Sequence, residues 1–303
     1  MWNKNRRLSD GGESPRVIQQ SSISLLLKIV IILIAIVALI FAVIFTVRVF
    51  SSSEPYHEVW RDDFNGSQLN KDIWYFGNIG CTGNGNEEMQ CYTDRNAWVE
   101  NGSLIINVKI EPGEQGKQFS SSRIHGKQGW TYGRFEARAK LPKGRHLWPA
   151  IWMMPLKKEF GEWPASGEID IMEHRGQFSN RVEGTIHYGD VKHIYEGSKM
   201  TEFPVDFSQD FHVFGLERTP TKITWLVDGK EYYSYNTDKM FGNKLYKKKG
   251  EPFDKEFYWI FNVAVGGGYF PPDQFGPPVT TEEAKHWKKT TMEIDWVKVS
   301  HLT

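Results

Sequence analysis

Three carboxylates stand within six residues in Gly167-Glu168-Ile169-Asp170-Ile171-Met172-Glu173-His174, a run that is otherwise apolar and β-favouring. In a helix Glu168 and Asp170 would point about 200° apart, and the trio could not converge on one substrate atom. In a strand they can, because alternation puts Glu168 and Asp170 on one face and Ile169 and Ile171 on the other. Glu173 lies three residues beyond Asp170, so an unbroken strand would turn it toward the core, where an ionised carboxylate is costly. The spacing therefore predicts a β-bulge near Met172 that returns Glu173 to the acidic face.

Such a trio suits retaining glycoside hydrolysis, in which one ionised acid attacks the sugar carbon and a protonated one donates to the leaving oxygen. Like charges a few ångströms apart cannot all ionise at neutral pH, so Asp170 between the two glutamates keeps at least one of them protonated. The plainer reading is an acidic strand face that is solvated or binds a metal.

The elements that must position these acids are short strands. Alternating runs predict them at Ser103–Ile110, Gly133–Lys140, Glu168–Glu173, Val182–Tyr188, Phe211–Arg218, Lys222–Val227, Phe257–Val263 and Met292–Val299, separated by turn signals such as Pro142-Lys143-Gly144. Outside the N-terminal apolar run, only Thr281–Lys289 reads as helix. Many strands with few helices predict an all-β fold, two antiparallel sheets packed as a sandwich or jelly roll over residues 57–303.

The rest of the chain is a tail (residues 1–22), an apolar segment (23–47) and a linker (48–56). The run from Ile29 to Val47 has no charge, Gly or Pro and nearly spans a hydrocarbon core of ~30 Å. Basic residues concentrate before it (Lys4, Arg6, Arg7, Arg16), which predicts a single-pass anchor with a cytoplasmic N-terminus and an extracellular domain. A cleaved signal peptide is the alternative. In that oxidising compartment Cys81 and Cys91, the only cysteines, would close a short loop. Asn65 and Asn101 begin glycosylation sequons, and Asn101-Gly102 also reads as a hairpin turn.

Among the 303 residues the formal net charge is +0, which argues against nucleic-acid binding. Aromatic residues make up 14% of the chain, and Trp148, Trp152 and Trp163 lie near the acidic run, suited to stacking on sugar C–H faces or to filling a core.

From Tyr56 to Thr303 the chain resembles glycoside hydrolase family 16, and within it the laminarinase-like β-1,3-glucanases. The resemblance runs through Trp60-Arg61-Asp62-Asp63-Phe64, Asn86-Glu87-Glu88-Met89-Gln90-Cys91-Tyr92-Thr93, Tyr132–Pro142, Trp148-Pro149-Ala150-Ile151-Trp152-Met153-Met154-Pro155 and the acidic trio. It implies a β-jelly roll with an open cleft, with Glu168 as nucleophile, Asp170 assisting and Glu173 as acid/base. The spacing E-x-D-x-x-E resembles the β-1,3-glucanase branch rather than the E-x-D-x-E of lichenases, which implies a β-1,3-glucan substrate. By the same resemblance Asn86, Glu87, Trp148, Trp152, Trp163 and His187 bind sugar. No cofactor is implied for catalysis, and Asp63, Gly102 and Asp295 match positions that hold a structural calcium ion in some relatives. Glucan recognition without cleavage, and transglycosylation through the same intermediate, are the competing functions.

Overall fold

The computed structural model describes residues 25, 27–37, 39, 56–82, 85–190, 192–240 and 244–302. The chain divides into two units, Met1–Glu54 and Pro55–Thr303. In the first, the described residues are helical and exposed. The expected membrane-spanning helix over 23–47 is not found: no helix among the described residues is long and apolar enough to cross a membrane. The longest described stretch, 27–37, rises only about 16 Å, and the tail, most of the linker and the remainder of the apolar run lie outside the described residues.

The second unit is built from strands. In chain order they are β1 (Tyr56–Asp62), β2 (Trp74–Phe76), β3 (Gln90–Tyr92), β4 (Ala97–Glu100), β5 (Ser103–Asn107), β6 (Lys109–Ile110) and β7 (Phe119–Ser121). Then follow β8 (Arg123–Trp130), β9 (Gly133–Lys140), β10 (Leu147–Pro155), β11 (Glu168–Glu173), β12 (Arg181–Tyr188) and β13 (Ile194–Gly197). The last are β14 (Thr201–Glu202), β15 (His212–Arg218), β16 (Lys222–Val227), β17 (Lys230–Asn236), β18 (Phe257–Val265) and β19 (Thr291–Leu302).

Two eight-stranded antiparallel sheets result. One runs β17-β16-β15-β9-β19-β5-β4 with β1 also on β19, and the other runs β13-β12-β11-β10-β18-β8-β2 with β14 on β12. A small sheet, β3-β7-β6, closes one side. The expected all-β sandwich is therefore present, and its core lies where the inward residues of the two large sheets meet. Ile169, Ile186, Met153, Trp259 and Phe261 come from the acid-bearing sheet, and Phe135, Phe214, Trp225 and Val297 from the other.

Two expected elements are corrected. Ser103–Ile110 is two strands, because Val108 leaves the large sheet to donate to the Thr290 carbonyl (3.1 Å) and the chain continues in the small one. The helix at Thr281 ends at Ala284, started by a capping box between Thr280 and Glu283 and followed only by turns. Asn101 and Gly102 form the expected hairpin turn between β4 and β5, both at positive φ (51° and 73°).

Candidate active site

β11 sits in the middle of its sheet, between β10 and β12. Against β12 its register runs Glu168↔His187 and Asp170↔Thr185, then slips, so that Glu173 faces Glu183. Against β10 it pairs Asp170 with Trp152 and Met172 with Ile151. Ile171 and Met172 are thus the bulge the spacing called for, and both are buried in the core. The slip returns Glu173 to the face of Glu168 and Asp170.

A bulge leaves a backbone group without its ladder partner, and here the far sheet supplies one. The indole N–H of fully buried Trp225, on β16, donates to the Asp170 carbonyl at 2.8 Å. Gly184 on β12 makes room for it: a Cβ there would lie 2.1 Å from the Trp225 ring.

Each glutamate receives one indole N–H. Trp163 donates to Glu168 at 2.5 Å and Trp148 to Glu173 at 2.9 Å. Glu168 and Asp170 face one another closely enough for the Asp170 charge to raise the Glu168 carboxyl. His187 Nε2 lies 3.1 Å from Asp170 Oδ2, and one polar atom from each of Glu168, Asp170 and His187 falls within 4.8 Å of the other two.

This crowding raises all three acids above the ordinary carboxylate range. Burial is the leading cause for each. Burial and then the Asp170 charge push Glu168 up to about 8, against the pull of His187 and the Trp163 N–H. Asp170 rises through burial, with Glu183 adding to it. Glu173 is pushed well up by burial and by the charges of Asp170 and Glu183. The site thus holds shareable protons at neutral pH, which is what an acid/base pair needs.

The expected sugar-contacting residues flank the trio at both ends. Trp163 and His187 lie at the Glu168 end, and Trp148 at the Glu173 end. Trp152 is cross-strand from Asp170, and its N–H is held by Asn262 at 2.7 Å. Asn86 and Glu87 form a positive-φ turn packed on Gly267, with the Asn86 carbonyl accepting from Gly268 N at 2.7 Å. That turn lies just beyond the end of β18, where Ala264 is cross-strand from Trp148. Cys81 and Cys91 are joined, with Cα atoms 4.1 Å apart.

Several residues at the site escape sequence reasoning. Tyr269 stacks on Trp148 with ring centroids 4.4 Å apart and donates to Glu183, while Arg175 lies 3.8 Å above the Tyr269 ring. Its one signal was an aromatic residue directly after three glycines, Gly266-Gly267-Gly268. A buried network, Glu88–Arg123–Tyr92–Asn262, supports Trp152 from behind; scattered over 175 residues of chain, it had no local pattern to reveal it.

Two of the three residues matched to a calcium site are already engaged in ion pairs. Asp63 pairs with Arg61 at 2.7 Å, and Asp295 pairs with Arg138 at 2.5 Å. Each carboxylate has an oxygen committed to a guanidinium whose positive charge opposes a cation beside it, so as arranged these residues do not fit a divalent ion, which needs several oxygens.

Comparison with known proteins gives a consistent result. The family model described as glycosyl hydrolases family 16 matches residues 84–298. A glucan endo-1,3-beta-glucosidase of Cryptopygus antarcticus is 45% identical over 249 residues, covering 79% of this chain and 90% of that protein. A beta-1,3-glucan-binding protein of Penaeus monodon is 30% identical, over 70% of this chain and 75% of that one. Among solved structures, the laminarinase from Rhodothermus marinus superposes with a TM-score of 0.69 at 34% identity, covering 82% of this chain and 98% of that one.

Proposed function

The chain belongs to glycoside hydrolase family 16, and from that membership we propose that it is a retaining endo-β-1,3-glucanase acting on laminarin-like glucan. The observation that carries the reading is the bulged β11, which brings Glu168, Asp170 and Glu173 to one face with protons to share. Glu168 attacks the anomeric carbon while Glu173 gives its proton to the departing glycosidic oxygen. Asp170, whose carboxyl burial raises, keeps its own proton, so the attacking carboxyl is an anion beside a neutral neighbour. Water, deprotonated by Glu173, then opens the glycosyl ester and restores both acids. The reaction needs no cofactor.

Glucan lies along the trio between two aromatic ends, Trp163 and His187 at one and Trp148 on Tyr269 at the other, with Trp152 between them. Placement of the domain outside the cell, behind an N-terminal anchor at residues 23–47, is supported by the uncharged run Ile29–Val47, the Cys81–Cys91 bridge and the exposed sequon asparagines Asn65 and Asn101.

The test is reducing-sugar release from laminarin, with products sized by mass spectrometry. The wild type should release oligosaccharides, and Glu168→Gln should lose at least about a thousandfold in kcat. Binding without release by the wild type would turn the reading to glucan recognition, and products longer than the substrate would turn it to transglycosylation.

A further inference from the structure

The aromatic end of the site beside Glu168 does not stop at Trp163 and His187. Glu168 on β11 is cross-strand from His187 on β12, and His187 is in turn cross-strand from Tyr195 on β13. The three residues therefore stand in one row on one face of the sheet, with Tyr195 two strand spacings, about 10 Å, from the backbone of Glu168. β13 is the last strand of its sheet. Ile194 turns inward and packs on the core, so alternation sends Tyr195 outward, where 70% of it is exposed.

His193 fills the corner between this row and Trp163. Its ring is 4.7 Å from Trp163, 5.1 Å from His187 and 6.1 Å from Tyr195, and the Tyr195 and His187 rings are 6.2 Å apart. A 2.8 Å hydrogen bond between His193 Nε2 and His187 Nδ1 fixes the two imidazoles, whichever of them carries the hydrogen. Tyr246 ties the neighbouring loops together: its hydroxyl accepts from Gly189 N at 2.9 Å and donates to the Ala165 carbonyl at 2.8 Å. Single exposed rings are ordinary on a protein surface. Four rings in one patch, continuous with the row that holds Glu168 and with Trp163 and Tyr195 open to solvent, mark a surface that a ligand covers.

We propose that Tyr195 is a sugar-stacking residue, braced by His193, that holds the third glucosyl unit on the glycone side, counting the reacting sugar as the first. The proposal rests on the glucanase reading above. Glu168 attacks the anomeric carbon from one side and the departing oxygen leaves on the other, toward its proton donor Glu173, so the sugars that stay on the enzyme extend past Glu168. A glucosyl unit is about as long as one strand spacing. With the reacting sugar at Glu168, the second unit lies at His187 and Trp163, and the third reaches the Tyr195 ring. There the flat phenol covers an apolar C–H face of the sugar, a contact that needs no charge on either partner.

The test is the choice of bond cut in laminarihexaose labelled at its reducing end, with products sized by mass spectrometry. Cleavage after the third or a later unit from the non-reducing end uses the Tyr195 position, and cleavage after the first or second does not. In Tyr195→Ala the ratio of the former to the latter should fall about 3–10-fold, the effect of one ring contact. In Tyr195→Phe, which keeps the ring, it should stay within about twofold of the wild type. A variant that is merely loosened would slow every cut alike and leave the ratio where it was. An unchanged ratio in Tyr195→Ala, or an equal fall in Tyr195→Phe, overturns the proposal. Binding reads the same contact without turnover: followed by tryptophan fluorescence, laminarihexaose should bind Tyr195→Ala about 3–10-fold more weakly than the wild type, and equal affinity overturns the proposal. If the wild type binds the hexasaccharide but releases nothing, the glucanase reading fails while the stacking contact stands or falls on the affinities; neither binding nor release overturns both.

Discussion

Acids poised for chemistry weigh against the fold that holds them. Glu168, Asp170 and Glu173 all bind protons more tightly in the folded chain than in the unfolded one, chiefly through burial. Carboxyls with raised folded-state pKa make the native state the better proton binder from about pH 4, where unfolded carboxyls titrate, up to about 8, so stability falls as pH rises through that window. Asp170→Asn removes one such group and keeps its shape. That variant should be nearly inactive yet melt about 2–5 °C above the wild type at pH 8, with a smaller gain at pH 4, by calorimetry at both pH values. A gain independent of pH would mean that packing, rather than buried charge, is responsible. At this scale the trio was legible because carboxylates in an apolar strand are conspicuous, whereas Tyr269 was not, since one aromatic residue after a run of glycines looks like any other loop residue.

An extra residue in a central strand is a local defect that the surrounding elements must absorb. Ile171 and Met172 take it up by both turning inward, and Trp225 on the opposite sheet satisfies the carbonyl it exposes. Trp225→Phe keeps one aromatic ring but removes the other with its N–H, leaving a buried acceptor unpaired and a small cavity at a cost of at least about 1–3 kcal/mol. Urea unfolding should show that loss, and kcat should drop with KM little changed because Asp170 is no longer held. Unchanged stability would mean that another group takes over the carbonyl. The bulge could be inferred from the spacing E-x-D-x-x-E, but the tryptophan that supports it could not, since it lies 55 residues away and nothing local distinguishes it from core filling. Strands were legible where apolar and polar residues alternate, as in Gly133–Lys140. They were missed where other demands prevail: β8 reads Arg-Ile-His-Gly-Lys-Gln-Gly-Trp, and β10 carries a proline in a central strand. Pro149 is tolerated because its nitrogen and carbonyl face the side where β11 has already ended at Glu173, the carbonyl accepting from His174 N, so the ladder with β18 loses no donor.

Taken whole, the chain carries a formal net charge of +0, and β-1,3-glucan carries none. Encounter then depends on shape and stacking rather than on long-range attraction. Initial rates on laminarin should change less than about twofold between low and high salt, measured at subsaturating substrate; a steep fall would point to an anionic polysaccharide as the preferred ligand. The two sheets are not independent partners in this work, because the carbonyl of a reacting residue is held by an indole rooted in the opposite layer. Any thermal slip between the layers reaches the sugar chemistry at once. A preparation aged by warmth should therefore thin into a mixture of fully working and dead molecules, never a population of slowed ones.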